Sequence, residues 1–218
     1  MLDCVLYKDV MCFSATASFV AGGVLSATGG VLLARTRRNQ DLPLASIPLL
    51  FGVQQIIEGI VWISFSSPAV NAVAAYAYTL FSHVLWPIFV PLSLLLVEIN
   101  PARKKLLKAF LLVGTAIGLY LLYLIQTNTI DAQIMNCSIA YPFPIPYPFS
   151  TTAFYLVVIC GSCFVSSHKT LRILGIAILI SFAIATWFYT QTFISVWCFF
   201  AAILSIIIYW HFSKNRKV

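Results

Sequence analysis

Apolar residues dominate this chain, and short polar connections that carry most of the charge break them into runs. Seven runs are long enough to cross about 30 Å of hydrocarbon. They fall at approximately 13–34, 42–65, 70–97, 106–126, 150–166, 172–189 and 191–212. The connections read RTRRNQD, SFSSPAV, NPARKK, a longer stretch over 127–149, SSHKTLR, and a tight join near Tyr189. This pattern predicts an all-α polytopic membrane protein with seven transmembrane helices. Residues 11–218 form one domain with an outer loop at 127–149, and residues 1–10 are an N-terminal extension.

Within the runs, small and helix-breaking residues predict how the helices pack. Ser14, Ser18, Gly22, Ser26 and Gly30 recur every four positions in the first run, which draws a small-residue ridge for close helix approach. Pro87 and Pro91 lie inside the third run, and proline cannot bond the carbonyl four residues earlier. They predict a hinge that frees the carbonyls of His83 and Pro87. In the long loop, YPFPIPYPF over 141–149 alternates proline with apolar residues and so favours an extended path. It is expected to pack at the membrane interface, with a lid over the outer mouth as the alternative.

The second run, FGVQQIIEGIVW over 51–62, holds the polar centre. The chain is 61% hydrophobic and 9% charged, against roughly 25% charged in soluble domains. Of its six acids, only Glu58 lies well inside an apolar run. Gln54 and Glu58 share a helix face, Gln55 lies beside it and Trp62 extends it outward. At 1.5 Å per residue, Glu58 is about 10 Å deep, Gln54 about 16 Å and His83 about 20 Å, with Trp86 three positions beyond His83. A charge near the bilayer centre costs on the order of 3 kcal/mol. Glu58 is therefore expected to face the bundle interior, either protonated or paired with His83. The structural alternative is a neutral Glu58 that holds spans two and three in register.

The net charge of +7 raises the question of a nucleic-acid partner. Placement answers it. Arg35, Arg37, Arg38, Arg103, Lys104, Lys105, Lys108, Lys169, Arg172, Lys214, Arg216 and Lys217 all follow odd-numbered spans, and Lys8 alone lies on the other side. The positive-inside rule then predicts an external N-terminus and a cytoplasmic C-terminus in an inner membrane. The expected partners are the lipid bilayer and a small solute or proton, and no nucleic acid is expected. The first run is too long for a cleavable leader and lacks a basic region before it, which predicts a reverse anchor.

Cysteines and missing motifs bound the chemistry. Cys12 and Cys137 fall outside the membrane and are the preferred disulfide pair, with Cys4 as a competitor. CGSC, Cys160 to Cys163, has the spacing of a redox dithiol, and it serves equally as two small packing residues. The seventh span has no lysine for a retinal Schiff base, and only His83 and Glu58 share a depth where a zinc site needs three ligands. No phosphate-binding loop or nucleophile elbow occurs, so no cofactor is expected. TLFSHVLWPIF in span three and TFISVWCFF in span seven share residue types, a weak trace of parallel repeats.

MCFSATASFVAG over 11–22, followed by LPLASIPLLFGVQQIIEGIVW, resembles an uncharacterised family of bacterial integral membrane proteins whose members open with Met-Cys-Phe-Ser-Ala. The resemblance covers the first two spans and implies Met11 as the start. It supplies no catalytic residues. The expected function is binding or transport of a small solute or proton at Glu58, Gln54, Gln55, His83, Trp62 and Trp86, with Pro87 and Pro91 as the hinge. Alternatives are a membrane enzyme (a quinone-linked thiol oxidoreductase or an intramembrane hydrolase) and a receptor-like or scaffold protein.

Overall fold

The computed structural model describes residues 14–135, 138–189 and 192–215. Nine α-helices are described: α1 (Ala15–Arg35), α2 (Leu42–Ile63), α3 (Pro68–Thr79), α4 (Trp86–Val97), α5 (Pro101–Thr127), α6 (Pro148–Val165), α7 (Lys169–Phe188), α8 (Phe193–Leu204) and α9 (Ile206–Asn215). They make seven segments long and apolar enough to cross a membrane. The third segment joins α3 to α4 through a π-helical turn at Leu80–Leu85, and the seventh combines α8 with α9. The chain is an all-α polytopic membrane protein.

Local chemistry sets the helix ends. Ser14 caps α1 by accepting from the Ala17 N–H at 3.2 Å, and Asn100 caps α5 by accepting from the Ala102 and Arg103 N–H groups. Pro68, Pro101 and Pro148 open α3, α5 and α6, where proline's missing N–H has no helical partner to lose. The α2–α3 hairpin is fixed from within. The Asn71 amide donates to the Val61 carbonyl and to Ser64 Oγ, both at 3.1 Å.

The predicted small-residue ridge packs α1 against α2, with one change. Ser18, Gly22 and Gly29 are buried, while Gly30 is exposed with open space around it. Four residues overshoot one 3.6-residue turn by about 40°, so a strict i+4 series drifts off a straight interface. The contact returns to register at Gly29, where a Cβ would overlap the Leu49 backbone, and Gly52 of α2 faces Ser26 just as closely.

The third segment corrects the expected proline break. In the π turn each N–H reaches back five residues, so Pro87 frees the carbonyl of Ser82 rather than that of His83. Tyr155 of α6 donates its hydroxyl to that carbonyl at 2.5 Å. The carbonyl of Pro87, freed in turn by Pro91, abuts Gly114 of α5 so closely that no side chain fits there. Pro87 and Pro91 are both buried, and the distorted helix is held from two sides.

At the end of the bundle near residues 128–147, a short antiparallel hairpin pairs β1 (Gln133–Met135) with β2 (Ser138–Ala140). Sequence reading did not anticipate it. Ser138, Ile139, Ala140 and Tyr141 are buried, and Phe143 and Ile145 pack partly on the core. This part of the loop plugs the bundle, where interface packing was the expectation. Tyr147 and Phe149 do lie outside, 82% and 86% exposed, as does Trp187 at 82%. Such aromatic side chains suit the headgroup depth.

At the opposite end, the α4–α5 and α6–α7 connections are clasped by Glu98. Its carboxylate accepts from the Ile99 and Asn100 N–H groups, from the Ser167 N–H at 2.7 Å, and from Ser167 Oγ at 2.6 Å. Arg103 also donates to Ser167 Oγ at 3.1 Å.

Candidate functional site

Two apolar clusters fill the bundle, and between them lies a buried polar layer. One cluster is centred on Phe51, Trp86, Tyr155 and Trp197, the other on Val61, Tyr78, Ile139 and Tyr141. Helix α2 supplies the layer's core. Gln54, Gln55 and Glu58 are 0%, 0% and 2% exposed. Their 4-residue and 3-residue spacing puts all three toward the interior, while Val53 and Ile63 face outward.

Glu58 takes its hydrogen bond from the last span. Ser195 Oγ of α8 donates to Glu58 Oε1 at 2.5 Å. The Gln55 amide and the Tyr78 hydroxyl lie beside the same carboxyl, yet neither makes a hydrogen bond of normal geometry. Cys198, one turn beyond Ser195, is an electrostatic neighbour of both Glu58 and Tyr78. Tyr141, stacked on Tyr78 with ring centroids 4.5 Å apart, closes the layer from the hairpin side.

Gln54 takes a different partner. Its Oε1 accepts from Trp86 Nε1 at 2.8 Å, and the Trp86 ring stacks on Phe51 at 3.9 Å. His83 does not pair with Glu58, which was one of the two expected alternatives. Its Nδ1 shares a 2.8 Å hydrogen bond with the neighbouring Ser82 hydroxyl, and its ring meets Phe143 edge-on. The π turn sets this arrangement by rotating the residues after Thr79 relative to a regular helix. Trp62 is half-buried on the hairpin side.

The layer is rich in buried polar atoms without a hydrogen bond of normal geometry. Gln54 Nε2, both side-chain atoms of Gln55, and the hydroxyls of Tyr78 and Tyr141 are buried without a hydrogen bond. Each such atom costs about 1–3 kcal/mol, and native proteins hold few of them. Gln55 and Tyr78 stand beside the carboxyl, and Tyr141 is its electrostatic neighbour. On the other side of Trp86, a narrow cavity of about 50 Å³ runs past Tyr155, Trp197 and Cys198 toward Ser205 and Ile208.

A family model described as a family of unknown function (DUF6629) matches residues 11–218. The chain belongs to DUF6629. No curated protein and no solved structure matches it. In this DUF6629 chain, Cys160, Cys163 and Cys198 are free buried thiols, and the Cys160–Cys163 pair sits inside α6 with no bond between them. Among the described residues, no three of His, Cys, Asp and Glu gather as metal ligands. Cys4, Cys12 and Cys137 lie outside the described residues, and so does the disulfide expected between the last two.

Sequence reading of the DUF6629 chain missed Ser195, Cys198, Tyr78 and Tyr141. The signal for two of them was present. Ser195 and Cys198 lie in the SVWC stretch that shares residue types with span three, three positions apart and so on one helix face. Chemically, the layer offers a carboxyl, two amides, two phenols and a hydroxyl, with no lysine or arginine among them. It can accept and donate hydrogen bonds and can hold positive charge. It has nothing to neutralise an anion.

Proposed function

We propose that this protein binds, and moves across the membrane, a proton or a small cationic or neutral solute at the Glu58 centre. The observation behind this reading is one sheltered carboxyl, bonded by Ser195 and surrounded by the polar side chains of Gln55, Tyr78 and Tyr141. A lone carboxylate in an apolar interior is costly unless it carries a proton or meets a cation. Ser195 donates to Oε1, and the carboxyl holds that proton or faces that cation with Gln55 and Tyr78 beside it. Gln55, Tyr78 and Tyr141 supply the remaining contacts, and Gln54 and Trp86 form the floor. The π turn beside the layer, with Pro87 and Pro91 behind it, is the hinge, since such turns recur at functional sites. The chain sits in a bacterial inner membrane with its N-terminus outside and its arginine-rich end in the cytoplasm, following the placement of Lys and Arg. The hairpin plug then closes the external side, and the narrow cavity is the inward route.

The test is proton flux in liposomes that hold the reconstituted protein and an entrapped pH-sensitive dye, driven by an imposed potassium diffusion potential. The wild-type protein is expected to acidify the lumen, and Glu58→Gln is expected to match empty liposomes. Equal flux in the two proteins would end this reading.

A further inference from the structure

A large cavity lies away from the polar layer, at the arginine-rich end. Its volume is about 660 Å³, within the range of small-molecule sites. Arg35, Arg37 and Arg38 line it from the end of α1 and the loop that follows, His168 from the start of α7, and His211 from α9. Asp41 is the one acid on its wall.

The arginines are not neutralised among the described residues. Arg38 reaches only Gln40 Oε1, at 3.3 Å, and among the described residues no carboxylate pairs with Arg35, Arg37 or Arg38. The start of α7 adds to the positive field. His168 is its N-cap and gives it no side-chain cap bond, so a 20-residue helix turns the positive end of its dipole toward this wall. Membrane topology alone asks for basic residues on this side of the bilayer. It does not ask them to line a hollow that histidines from two other segments complete. Lys105 and Lys108 of α5 are the contrast, being exposed at the same end without lining the cavity.

We propose that this cleft binds a phosphate group, borne either by an anionic lipid headgroup or by a soluble phosphate compound. The arginine fork matches phosphate oxygens in pairs, and three guanidinium groups against one carboxylate leave the wall cationic. The site is independent of the Glu58 centre, which has no lysine or arginine to neutralise an anion.

Two measurements on the full chain separate the sources. In nanodiscs that mix phosphatidylcholine with phosphatidylglycerol, native mass spectrometry counts the anionic lipids retained. In phosphatidylcholine nanodiscs, equilibrium dialysis measures binding of radiolabelled inorganic phosphate. Arg37→Ala with Arg38→Ala changes two exposed side chains, and it is expected to weaken the productive arm by about fivefold per arginine. Lys105→Ala with Lys108→Ala is expected to leave it unchanged. Loss in the first arm assigns a lipid, and loss in the second a soluble phosphate. No binding in either arm, or equal weakening by the two double variants, would overturn the proposal.

Discussion

Ser195 of α8 donates a 2.5 Å hydrogen bond to Glu58 of α2, joining residues 137 positions apart. This bond ties the seventh span to the second. Ser195→Ala removes the donor and leaves Glu58 buried without it, at a cost of about 1–3 kcal/mol. A lower melting temperature in detergent is expected, with recovery in Ser195→Thr. Glu58→Gln keeps a polar side chain of the same shape and is expected to melt close to the wild type. A Ser195→Ala protein as stable as wild type would show that the bond is not formed.

The π turn gives a second test. Tyr155 satisfies the Ser82 carbonyl that Pro87 cannot. Tyr155→Phe orphans that carbonyl and is expected to destabilise the protein by about 1–3 kcal/mol. Amide exchange is expected to quicken in Leu80–Leu85 more than in α1. Uniform exchange across both segments would contradict the assignment.

Neighbouring glycines make a sharp contrast in α1. A Cβ at Gly29 would strike the Leu49 backbone, whereas Gly30 faces open space. Gly29→Ala is expected to force α1 from α2 and to lower the yield of folded protein. Gly30→Ala is expected to be neutral, or stabilising by up to about 1 kcal/mol, because alanine favours helix. Chemical unfolding of the two variants decides between them. Equal effects would place the helix interface elsewhere.

Glu98 gives the protein a pH-sensitive clasp. Burial alone would raise its pKa, but hydrogen bonds from the Ser167 hydroxyl and the backbone N–H groups of Asn100, Ser167 and Ile99 outweigh it and hold the carboxyl below its ordinary 4.5. The unfolded chain therefore binds the proton first as pH falls. The clasp contributes fully above pH 4.5 and is lost as pH drops through the lower folded value. Melting temperature in acid is expected to fall less steeply for Glu98→Gln than for the wild type. Parallel curves would remove Glu98 from the account.

The seven spans, the packing face of α1 and the buried side of Gln54, Gln55 and Glu58 were legible in the sequence. Each is written in local periodicity and hydropathy, which need no knowledge of neighbours. The partner of Glu58 was not legible. Depth pointed to His83 on the adjacent span, but a helix's rotation about its axis is fixed by packing, and the π turn changes that rotation partway along span three. Nothing local in α2 names α8 as the helix that meets it. The plug was obscured for a different reason. Alternating prolines predict an extended path over 141–149 but not its depth, and Tyr141 is buried while Tyr147 is 82% exposed.

The most direct test of the Glu58 centre is labelling of the reconstituted protein with a lipid-soluble carbodiimide, read by peptide mass spectrometry. The reagent attacks carboxyls that hold a proton out of reach of water. The account predicts an adduct on Glu58, with proton flux falling in step with labelling, and none on Glu98, whose carboxylate is held ionised by its four donors. Glu58 left unmodified, or an adduct on Glu58 with undiminished flux, would contradict it.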